Sequence, residues 1–112
     1  MTASSCDCRS PNNEVHWQDW RDLGMTDRYW ELSFMRCRGC GAPWLRAFLE
    51  YEAFSRSGRY YRAPVEEAAL PGLTPDAALT LIEAAPFKVA GGSRFDGQER
   101  VVIDAGKLLD AP

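Results

Sequence analysis

The sequence predicts an α+β domain: a small antiparallel sheet, then one helix, then a C-terminal β-hairpin. Three observations carry this. All four tryptophans and all four tyrosines fall within the first 65 residues, in short apolar runs separated by turn residues, the usual pattern of short strands. Thr74-Pro75-Asp76 opens a run with helical spacing. Beyond it, two short apolar runs bracket Gly91-Gly92 and Asp96-Gly97.

Taken in order, residues 1–13 are polar and turn-rich apart from their cysteines, and Ser10-Pro11-Asn12-Asn13 reads as a turn. Val15-His16-Trp17 fits a short strand. From there to Thr26-Asp27, Trp20 and Leu23 are mixed with charges and Gly24, which predicts an irregular, aromatic-anchored connection. Tyr29 to Met35 predicts a strand; its apolar residues are too dense for simple alternation, as in a strand covered on both faces. Residues 44–55 fit two patterns. As a strand, Leu45, Ala47, Leu49, Tyr51 and Ala53 make one apolar face. As a helix, Trp44, Ala47, Phe48, Tyr51 and Phe54 form a stripe, with Pro43 at a permitted first position. The strand is preferred; beyond it, Ser57-Gly58 reads as a hairpin turn and Arg59-Tyr60-Tyr61-Arg62 as a returning strand.

Residues 66–73 read as a linker. The helix then has Thr74 as its cap, Pro75 in its first turn and Asp76 at its positive end. Ala78, Leu81, Ile82 and Ala85 give it an apolar face, and Pro86 ends it. Phe87 to Val89 and Arg100 to Asp104 form the final hairpin. The expected organisation is a β domain over residues 1–65, with the helix and hairpin of 66–112 packed on it.

At 112 residues and 46% hydrophobic content, the chain can build one modest core that would gain from a cross-link. No run of about 18 apolar residues predicts a membrane span. Met1-Thr2-Ala3-Ser4-Ser5 lacks the basic start and apolar core of a secretory signal, so a cytoplasmic location is expected, where structural disulfides are rare. The net charge of −3 is uneven: residues 1–65 carry nine arginines, no lysine and eight acids, whereas 66–112 carry four bases and eight acids. That balance disfavours nonspecific nucleic-acid binding, which wants a basic face.

The four cysteines form two close pairs, Cys6-Asp7-Cys8 and the CxxCG turn of Cys37-Arg38-Gly39-Cys40-Gly41. A CxxC turn presents two thiolates to one ion, and zinc takes four such ligands in a tetrahedron. Gly39 and Gly41 let backbone amides fold back towards the sulfurs. Cys6, Cys8, Cys37 and Cys40 are therefore expected to hold one zinc. Buried thiols and a redox dithiol are the alternatives, but Arg36-Cys37-Arg38-Gly39-Cys40 lacks the aromatic flank and following helix of redox motifs. Four thiolates leave no open position for water, which makes such a zinc structural. A zinc-deaminase site needs H-x-E and P-C-x-x-C; here the single histidine stands in His16-Trp17-Gln18, and Arg36 precedes Cys37. His16 is a substitute ligand only if a cysteine does not bind.

The strand–CxxCG–strand–hairpin pattern over residues 29–65, with a cysteine pair upstream, resembles the zinc-ribbon group. That resemblance implies two zinc knuckles clamping a small sheet, with Cys6, Cys8, Cys37 and Cys40 as ligands. A second resemblance lies in Asp27-Arg28-Tyr29-Trp30-Glu31-Leu32, which is similar to a strand motif of bacterial immunity proteins that neutralise polymorphic toxins. It lacks the Gly-rich continuation typical of that family after Phe34.

The expected function is a non-enzymatic, zinc-stabilised protein-binding module, with a toxin as one candidate partner. Acidic residues such as Glu50 and Glu52 would face a basic partner, or simply water. The competing function is a nucleic-acid-associated zinc ribbon, in which Arg56, Arg59, Tyr60, Tyr61 and Arg62 alternate guanidinium groups with stacking rings. Arginines on an edge strand also serve solubility. An enzyme is not expected: no Ser/His/Asp set is present, and Gly91-Gly92-Ser93 is too short for a phosphate-binding loop.

Overall fold

The computed structural model describes residues 7–10, 15–49, 58–93 and 98–108. Among the described residues, six strands form one sheet in sequence order: β1 (Trp17–Met25), β2 (Glu31–Cys37), β3 (Pro43–Leu49), β4 (Arg59–Pro64), β5 (Lys88–Gly91) and β6 (Arg100–Val102). Every neighbouring pair is antiparallel. One helix, α1 (Pro75–Ala84), is inserted between β4 and β5, and a short 3-10 turn, Glu67–Ala69, precedes it. The protein is thus a small α+β domain, and its sheet runs without a break past residue 65, because β5 pairs with β4.

Register explains the two faces. Leu32, Ala47, Tyr61 and Ala90 lie side by side across β2 to β5, and Phe34, Leu45 and Ala63 form the next row. Both rows, with Trp30 and Leu49, pack against Ala78 and Ile82 of α1. Because side chains alternate across a strand, the intervening residues face the other way. There Met35 and Trp44 form a second cluster with Cys8 and Cys37, edged by Val15, Trp17, Ala42 and Phe87. The Trp17 and Phe87 rings meet Trp44 edge-on, at centroid distances of 5.9 and 6.4 Å. β2 is therefore buried on both faces from Leu32 to Met35, which accounts for its apolar density.

Helix α1 starts as its sequence predicts. The Thr74 hydroxyl accepts a hydrogen bond from the Ala77 amide at 3.2 Å, with Pro75 and Asp76 in the first turn. It ends at Ala85, whose extended backbone suits a residue before proline. Ala78 and Ile82 are fully buried, whereas Leu81 lies at the rim, more than a third exposed.

Two expectations meet a different or sharper outcome. The strand expected over Val15-His16-Trp17 begins at Trp17 and continues to Met25, through the segment where an irregular connection was expected. Register shifts between Gln18 and Arg21 and between Asp22 and Gly24 break its alternation, with Asp19 (φ 55°) and Gly24 (φ 113°) in left-handed conformations. Of the two patterns for 44–55, residues 43–49 adopt the strand, bonded on both sides by β2 and β4. The rest of that segment, Ser57 of the expected turn, and Asp96-Gly97 lie outside the described residues.

Candidate metal centre

The CxxC turn joins β2 to β3. Cys37 closes β2 and is buried; Cys40 is exposed at the tip. The Gly39 amide donates to Cys37 Sγ at 3.3 Å, and the Gly41 amide donates to the Cys37 carbonyl at 2.8 Å. The Cys37 amide in turn donates to the Ala42 carbonyl at 3.0 Å. Gly41, at φ 80°, supplies the left-handed residue that lets the chain re-enter β3. The Arg38 amide reaches across to the His16 carbonyl at 2.9 Å, tying the turn to the start of β1.

Cys8 arrives from elsewhere in the chain. It lies in a 3-10 turn, Asp7–Arg9, and is 1% exposed. Its Sγ is 3.7 Å from Cys40 Sγ, and the three sulfurs of Cys8, Cys37 and Cys40 all lie within 4.8 Å of one another. At 3.7 Å, Cys8 and Cys40 are not bonded to each other, since a disulfide spans about 2.05 Å. That single spacing is close to the edge of a metal-thiolate tetrahedron, about 3.8 Å for bonds of about 2.3 Å, and the Cys37 sulfur lies within 4.8 Å of both. The cluster could therefore hold a metal ion. Among the described residues the gathered group consists of these three cysteines; Cys6, the expected fourth ligand, lies outside them. His16 is exposed and contributes its backbone carbonyl to the turn.

Charged side chains brace the cluster from both sides. Arg36 Nη1 donates to the Gly41 carbonyl at 3.1 Å and pairs with the Glu67 carboxylate, while Nε lies 3.6 Å from Asp19. The hydrogen bond from Arg36 holds the Glu67 carboxyl below its ordinary range. On the other side, the Arg9 guanidinium stacks over the Phe87 ring, 4.3 Å from its centroid.

The remaining residues expected to bind partners fall in different surroundings. Arg59, Tyr61 and Arg62 are buried in β4. Tyr61 meets Trp30 at 6.1 Å between centroids, and the Arg59 guanidinium donates to the Gly58 carbonyl at 3.4 Å. Tyr60 is half-buried, and that burial pushes its phenol above the ordinary tyrosine range. These rings and guanidinium groups are thus largely inside the protein, not displayed along a hairpin. Glu50, Glu52 and Arg56 lie outside the described residues.

Three exposed apolar side chains were not legible as such in the sequence. Trp20, Met25 and Tyr29, on β1 and its turn, are each at least half exposed. Behind Trp20, the Arg46 guanidinium sits within 5.3 Å of the Trp20, Phe48 and Tyr60 ring centroids. The only sequence sign of their exposure was that they stand among charges.

Comparison of the chain with protein-family models, curated proteins and solved structures found no match. No helix among the described residues is long and apolar enough to cross a membrane. Fold and cluster together define a small α+β domain with a cysteine group suited to a metal ion.

Proposed function

We propose that this chain is a non-enzymatic protein-binding module fastened by one structural zinc in a zinc-ribbon-like arrangement, and that it acts as a toxin-neutralising immunity protein. The observation that carries the zinc assignment is the meeting of Cys8, from a distant part of the chain, with Cys37 and Cys40, their sulfurs within 4.8 Å of one another. Cys6 completes the shell in this proposal. Its chemistry is that of a clamp: it holds the N-terminal segment against the second face of the sheet.

Support for a protein partner comes from the surface. Trp20, Met25 and Tyr29 are the residue types enriched at the cores of protein interfaces. Tyr29 belongs to the segment that resembles the immunity-protein motif. The burial of Arg59, Tyr61 and Arg62 weighs against the nucleic-acid alternative, because stacking requires rings that bases can reach.

The test is affinity capture from the native host with untagged bait immobilised through its exposed lysine, Lys107, comparing wild type with Trp20→Ala/Tyr29→Ala. Retention of a toxin by wild type and at least a tenfold loss with the double variant is expected, since interface aromatics often contribute 2 kcal/mol or more. Equal retention by both would remove this surface from the proposal. Retention of nucleic acid that falls steeply with salt would favour the alternative.

A further inference from the structure

We infer that Arg62 is a positioning residue for the metal centre: it holds the Cys8 segment in the place where the Cys8 thiolate meets Cys37 and Cys40. The inference rests on the zinc assignment proposed above. Arg62 extends from β4 on the face opposite α1 and is 2% exposed. Its Nη2 donates to the carbonyl of Cys8 at 3.1 Å and lies 3.5 Å from that of Ser10. Its Nη1 donates to Glu99 Oε2 and to the Tyr60 hydroxyl, both at 3.1 Å. The Trp17 and Trp44 rings flank the guanidinium, at 5.3 and 5.5 Å from their centroids.

A 3-10 turn of three residues has little stability of its own, so its place on the sheet depends on side-chain ties. The guanidinium fork fits that task. One arm is fixed by Glu99 and Tyr60, which leaves the other aimed at the Cys8 backbone. A buried cation is costly unless paired and hydrogen-bonded. Glu99 supplies the charge, and the two carbonyls take hydrogen-bonding capacity that would otherwise be orphaned. Lysine would keep the charge but lacks the planar fork needed to serve both sets of acceptors. Groups that orient metal ligands without touching the metal commonly change affinity by about 10–100-fold.

The experiment measures zinc affinity by chelator competition, and cobalt(II) spectra, for wild type, Arg62→Lys, Glu99→Gln and Cys8→Ser, with circular dichroism as the check on folding. For Arg62→Lys we expect about 10–100-fold weaker zinc binding, and a thiolate-to-cobalt band reduced towards that of Cys8→Ser. Glu99→Gln, which loosens the arm anchoring Arg62, is expected to show a smaller loss in the same direction. A residue that merely stabilises the sheet would lower the melting temperature and leave the cobalt band intact. Wild-type affinity and spectrum in Arg62→Lys would overturn the inference; should that variant not fold, the same result in Glu99→Gln would do so. Failure of wild type itself to bind zinc or cobalt would instead overturn the underlying metal assignment.

Discussion

Lys88 is a cation sealed inside the protein at 2% exposure. Its ammonium donates to the Ala85 carbonyl at the end of α1, at 2.7 Å, and to the carbonyl of Asp104. Burial pushes its pKa below the ordinary lysine value, and the nearby charges of Asp104 and Glu83 offset this in part. Below the depressed folded pKa both folded and unfolded chains carry the proton, so the desolvation cost is fully present. As pH rises through the depressed folded pKa towards the unfolded value near 10.4, the unfolded chain binds more protons and this residue's contribution to stability rises. Urea denaturation should therefore show wild type gaining relative to Lys88→Met between pH 7 and about 10. A constant difference would contradict the assignment of cause. Residue-scale roles such as this were hidden in the sequence. Arg59, Arg62 and Lys88 look like surface residues there, because only the fold reveals which strand face they occupy and which carbonyls await them.

Among the elements, legibility followed locality. The start and stop of α1 were readable because capping, proline placement and the Pro86 boundary act within a few residues. β1 was not, since two register shifts remove the alternation that marks a strand. Its Gly24 also has a partner far away in sequence: a Cβ there would come within 2.9 Å of Pro75 Cγ, at a φ of 113°. Gly24→Ala is expected to destabilise the protein by about 1–3 kcal/mol from backbone strain alone, measured by chemical denaturation; a neutral result would mean that Gly24 does not hold the left-handed backbone described. Ile82, fully buried beneath the sheet, provides the complementary check. Ile82→Ala should cost about 2–5 kcal/mol, a large share of the roughly 5–15 kcal/mol that stabilises a typical domain. A cost below about 1 kcal/mol would show that α1 does not anchor the core.

Across the whole molecule, the sheet is covered in two different ways. The α1 face is closed by an apolar cluster of the kind that hydrophobic periodicity anticipates. The opposite face is closed near Trp44 by a segment that brings Cys8 and Arg9, held in place by polar ties and sulfur. The cysteine spacing made that closure legible as a cluster that could hold a metal ion, whereas its arginine tie could emerge only from the fold. The most direct test of the central claim is the metal content of untagged protein, together with its melting temperature before and after zinc removal by a strong chelator. One zinc per chain is expected, with a marked drop in melting temperature on its removal, because the metal binds the folded state. Folded protein containing no zinc, or an unchanged melting temperature after the zinc is stripped away, would contradict it.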